Sequence, residues 1–81
     1  MEQVGQIVIS KSGRDKGRYF VVVGTEGEFV FYVDGELRKL ARPKKKKLRH
    51  VKFIGLELDT AGKTDGEIKR LLKETVKEDV S

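Results

Sequence analysis

A chain of 81 residues with 18 lysines and arginines, 13 acids, one histidine and no cysteine has room for one domain. It excludes disulfide staples and thiolate zinc sites, and a single histidine is too few for an ordinary metal centre. Folding at this size hides only about 60% of the unfolded surface, so one modest core must carry the stability.

The net charge of +5 is unevenly distributed. Residues 1–37 carry four basic and six acidic side chains, residues 38–53 nine basic and none acidic, and residues 54–81 five basic and seven acidic. One block therefore supplies more than the whole excess. Such polarity makes a directed field, and its natural partner is a polyanion. The N-terminus, "MEQVGQIVIS", lacks the long apolar run of a signal peptide. No segment approaches the roughly 20 apolar residues of a membrane span, so no membrane partner is expected and a cytoplasmic location is.

In chain order, Gly5–Ser10 ("GQIVIS") and Arg18–Gly24 ("RYFVVVG") are rich in β-branched and aromatic strand formers. Between them "KSGRDKG", with Gly13 and Gly17, reads as a turn joining antiparallel strands. Thr25–Gly27 connects tightly into a third strand, Glu28–Val33. Asp34-Gly35 is a dipeptide favoured in two-residue hairpins, which would make "ELRKLA" the returning strand. Leu37 and Leu40 do not share a period-2 face, so its register stays open. Pro43 then opens the lysine run as a loop, and Leu48–Leu58 is a last strand with a break near Gly55. Five short strands at this spacing suggest a small barrel or sandwich, and closure into a barrel would remove exposed edges.

The period then changes. Thr64-Asp65-Gly66-Glu67 matches a capping box, and Ile68, Leu71, Leu72 and Val76 form an apolar stripe at helical spacing. A helix this short is marginal alone, so it should dock on the β domain or fold on a partner. "AGKT" (Ala61–Thr64) resembles the end of a phosphate-binding loop. That motif needs glycine at position 57, where Glu57 stands, so capping is the better account. His50 has no companions for nucleophilic or metal chemistry and reads as a packed or surface residue. No enzyme, no metal and no cofactor is expected.

The lysine run has strand-like sequence on both sides, so its cations should be held in place by the fold. Residues 42–47 carry none of the apolar anchors of a lipid-binding surface. A nuclear-targeting or merely solvated segment is the bland alternative. Lys11, Arg14, Lys16 and Arg18 surround Asp15 in the first turn, where glycines let backbone approach a phosphate. Tyr19 and Tyr32 read as structural, since no exposed aromatic platform is evident.

These residues resemble a family. "GQIVISKSGRDKGRYFVVVG" is similar to the KOW motif, a strand, a glycine-flanked basic turn and an apolar strand, with Gly13, Lys16 and Gly17 matching the turn. Many KOW motifs carry a further glycine where this chain has Phe20, so the transcription-elongation type is the poorer match. "GRDKGR", "VDGELRK" and "RPKKKKLRHV", in that order, look more like large-subunit ribosomal protein fourteen of the archaeal–eukaryotic type and its bacterial KOW relatives. The resemblance covers residues 4–54. It implies a mainly β fold, an SH3-like five-stranded barrel, placed over residues 1–58; the linker and C-terminal α-helix over residues 59–81, read from their own spacing, lie outside the resemblance. It also implies a partner, structured or ribosomal RNA. Lys39, Arg42, Lys44, Lys45, Lys46, Lys47 and Arg49 would neutralise phosphates with Arg38, and Lys11, Arg14, Lys16 and Arg18 would form a second edge. A monomer is expected. The rival expectation is a protein-interaction module using a barrel groove or the C-terminal helix.

Overall fold

The computed structural model describes residues 3–80, with side chains as far as Lys77. Met1, Glu2 and Ser81, which belong to the segments read above, lie outside the described residues. The chain forms β1 (Gln6–Ser10), β2 (Tyr19–Glu26), β3 (Phe29–Val33), β4 (Lys44–Lys47), β5 (Val51–Glu57) and α1 (Asp65–Val80). The strands make one antiparallel sheet in the order β4-β3-β2-β1-β5. The domain is mainly β, with a single helix at its C-terminal end.

Two expectations are corrected. The fourth strand is the lysine run itself, and "ELRKLA" is not a strand. A two-residue hairpin at Asp34-Gly35 would need positive φ at both positions, and only Gly35 has it. Asp34 instead accepts bonds from the amides of Glu36 and Arg38 through Oδ1, winding the segment into a loop. That loop is tied further along by the Leu40 amide, which donates to Asp65 at 2.8 Å. The second correction concerns the last strand. Leu48–His50 is a 3-10 turn, and β5 starts only at Val51. It then runs unbroken past Gly55 as a bulge, with Ile54, Gly55 and Leu56 of β5 opposite Ile7 of β1.

The topology forces the sheet to curl. β4 and β5 are its two edges and run in the same direction. On a flat sheet they would lie about 19 Å apart, at roughly 4.8 Å per strand spacing. The chain must also return to the opposite end of the sheet. Lys47 and Val51 are joined only by Leu48–His50, a reach of at most about 14 Å even if extended. Only a strongly curled sheet accommodates that connection. No ladder joins β4 to β5 among the described residues, so the sheet curls without closing.

The curl encloses Val8, Phe20, Val22, Val30, Tyr32 and Val51, with Leu48 and Phe53 packed against them. The Phe20 and Tyr32 rings stack within it at 4.1 Å between centroids. A second cluster lies on the outer face, where Val21 and Val33 meet Ile68 of the helix. Ile68 and Leu72 are buried, so α1 docks on its own sheet. Its start is the expected capping box: the Thr64 amide donates to Glu67 at 2.8 Å, and the Glu67 amide donates to Thr64 Oγ1 at 3.2 Å. The bond from the Thr64 amide, followed by that from the Thr64 hydroxyl, holds the Glu67 carboxyl below its ordinary range.

Candidate nucleic-acid interface

The first basic turn is built around a buried acid. Asp15 closes a 3-10 turn, Gly13–Asp15, that Gly13 and Gly17 bracket with φ of 74° and 83°. Side chains rarely adopt those angles, which is why glycines stand there. The turn drives Asp15 inward to 3% exposure while Lys11, Arg14 and Lys16 stay exposed. Its carboxylate accepts bonds from Tyr32 Oη at 2.9 Å, Arg38 Nε at 3.0 Å and Arg38 Nη2 at 3.2 Å. Burial pushes the carboxyl up. The bonds from Arg38 and Tyr32, with the charges of Arg38 and Lys46, outweigh that and hold it below the ordinary range. Burial, the main cause, and the neighbouring Asp15 charge push the Tyr32 phenol up to about 12.

Strand alternation divides the lysine run. Lys44 and Lys46 pair with Tyr32 and Val30, whose side chains face the core, and are half-buried. Lys45 and Lys47 pair with Phe31 and Phe29 on the outer face and are exposed. Lys46 reaches across to donate from Nζ to the Ser12 carbonyl at 3.0 Å, so β4 is clipped to the first turn. The Lys11 amide donates to the His50 carbonyl at 2.8 Å, a second tie between that turn and the 3-10 turn after β4.

Segments distant in sequence thus meet at one rim. The loss of water around His50, followed by the charges of Arg49, Lys46, Lys47 and Lys11, lowers the imidazole's affinity for a proton. The imidazole registers a local concentration of positive charge. Sequence reasoning set His50 aside because it lacked catalytic companions. Its lysine and arginine neighbours in the chain were the available signal.

The other candidates are placed differently. Arg38 is turned inward onto Asp15 and is not a free cation. Arg18 lies 3.7 Å from Asp34, toward the helix. Lys45 pairs with Glu26 at 3.1 Å and sits 4.5 Å above the centroid of the Phe29 ring. Lys39 and Arg42 are exposed on the loop preceding β4, and Lys44 makes no ion pair among the described residues. The rim itself comprises Lys11, Lys46, Lys47 and Arg49 around His50, with Arg14 and Lys16 on the adjoining turn.

A groove of about 380 Å³ lies elsewhere, between the loop after β3 and α1, with Tyr19, Leu72 and Val76 beside Lys69, Lys73 and Lys77. Among the described residues no three His, Asp or Glu side chains converge as metal ligands, and no helix is long and apolar enough to cross a membrane. Fold and site together define a small mainly β domain with a cationic rim. No protein-family model matches the chain, and a search of curated proteins finds no match.

Proposed function

We propose that this protein is a non-enzymatic, cytoplasmic RNA-binding module of the KOW, SH3-like type, associated with ribosomal or other structured RNA. The observation that carries the reading is the joining of the glycine-flanked turn to the 3-10 turn after β4 by Lys46–Ser12 and Lys11–His50. The joint gathers cations from two segments distant in sequence, Lys11 and the stretch Lys46–Arg49, around one imidazole. Lys11, Lys47 and Arg49 face solvent and neutralise phosphates, with Arg14, Lys16, Lys39, Arg42 and Lys44 extending the field. Lysine suits irregular RNA phosphates because it is a flexible point charge. Arg38 shapes the turn through Asp15 and contacts no phosphate. Three features accord with an SH3-like barrel: the curled sheet, the 3-10 turn before the last strand, and the glycine-flanked turn between β1 and β2.

The test is salt-dependent binding to RNA. Engagement of about five phosphates gives a slope of log affinity against log salt near −3.5 for single strands, steeper for duplex. Replacing Lys11, Lys47 and Arg49 together by alanine should flatten the single-strand slope by about 2. A slope that does not move removes the rim from the mechanism.

A second reading, a protein-interaction module, draws on the groove beside α1. The helix stripe itself is spent on the sheet through Ile68 and Leu72, which counts against α1 as a free docking motif. A partner retained after ribonuclease treatment would favour the protein–protein reading.

A further inference from the structure

Phe29 and Phe31 lie on the outer face of β3 and belong to neither apolar cluster. Among the described residues the helix meets this face at its other end, where Ile68 packs on Val21 and Val33. Both phenylalanines are therefore only half-buried. In register beside them on β4 stand Lys47 and Lys45. Across from Phe31 on β2 stands Gly24, where an added Cβ would lie 3.6 Å from Phe31 Cδ2, so the ring lies close over bare backbone. Lys45 Nζ rests 4.5 Å from the Phe29 centroid and 6.0 Å from that of Phe31. Two aromatic rings that fill no core, interleaved with two exposed lysines, have the composition of a surface on which nucleic-acid bases stack.

Resting on the RNA-binding reading, we infer that Phe29 and Phe31 form a stacking platform for unpaired bases of single-stranded RNA. On binding, Lys45 leaves the Phe29 ring and Glu26 for a phosphate, and a base takes its place. The exchange is undemanding because Lys45 and Glu26 are 48% and 68% exposed, and such pairs hold weakly. Lys47 neutralises the next phosphate along the strand. The platform thus gives a surface otherwise suited to any polyanion a preference for bases that are not already paired, since a duplex hides its base faces.

The experiment measures fluorescence anisotropy with a labelled single-stranded RNA decamer and a blunt RNA duplex, at one salt concentration. Phe29→Leu and Phe31→Leu are tested singly, each keeping apolar bulk while losing the aromatic face. Each should weaken single-strand binding by about five- to hundredfold and leave duplex binding unchanged. Loss of affinity for both RNAs in equal proportion, or for neither, overturns the platform. Wild-type protein that binds neither RNA overturns the RNA-binding reading as well. Photocrosslinking of a 4-thiouridine decamer to wild-type protein gives an independent readout. Adducts on Phe29 or Phe31 support the platform, and adducts confined to the Lys11–Arg18 turn refute it.

Discussion

Replacing Asp15 by alanine tests how the first turn is held. Tyr32 Oη would lose its acceptor at 2.9 Å while its ring stays fully buried. An unsatisfied buried donor costs about 1–3 kcal/mol, and a lost bond to a charged group costs a similar amount. Two features limit the sum. The Arg38 side chain is 28% exposed and can turn to water, so the full penalty of a stranded buried ion does not apply. The nearby Ser10 hydroxyl, whose own proton goes to the Ser12 carbonyl at 3.1 Å, can accept from Tyr32 and so offers partial compensation. A loss of about 3 kcal/mol follows, which in a domain of this size lowers Tm by roughly 12–24 °C. Urea denaturation followed by circular dichroism at pH 7 measures it. Acid titration adds a second signature. The folded carboxyl lies below its ordinary value of 3.8, so its stabilisation is complete above that pH. It disappears as pH falls through the lower, folded value. Asp15→Asn should lack that acid limb. Stability of Asp15→Ala within 0.5 kcal/mol of wild type would show that the buried carboxylate does not hold the turn.

Two further outcomes probe the rest of the scaffold. Gly35 has φ of 79°, and an added Cβ would collide with the Asp65 carbonyl oxygen and approach the Lys69 amide. Gly35→Ala should therefore push α1 off its seat, and Ile68→Ala should cost about 2–5 kcal/mol by leaving a cavity in the same interface; denaturation midpoints and amide exchange in α1 check both. Tyr32 gives an alkaline signature: with its folded value raised to about 12, its contribution is complete below the ordinary value of 10.0 and is lost as pH rises through 12. Tyr32→Phe should remove that limb in a stability profile between pH 9 and 12.

Much of the fold was legible because it rests on local chemistry. β-branched runs marked β1, β2 and β3 to within two residues, and the Thr64–Glu67 spacing marked the helix start. The errors fell where tertiary contacts override local preference. Asp34-Gly35 signals a hairpin, but the side chains of Asp34, Asp15 and Asp65 capture Arg38 and Leu40 and hold residues 34–43 as a loop. Four consecutive lysines carry little strand propensity, yet β3 offers them an edge to pair with. Candidate site residues were legible as a list of cations. Their division was not, because it follows from a register that no local pattern specified.

Composition and spacing alone determined a small β domain with a helical end, one concentrated block of positive charge and a glycine-flanked basic turn. Those features depend on residue type and short-range geometry. Only the tertiary structure decided which cations remain free. Arg38 is consumed by a buried acid from a different segment, Lys46 becomes a clip, and Lys45 covers an aromatic ring. Side-chain direction on a strand reverses with each residue, and the partner it meets is set by the pairing of distant segments.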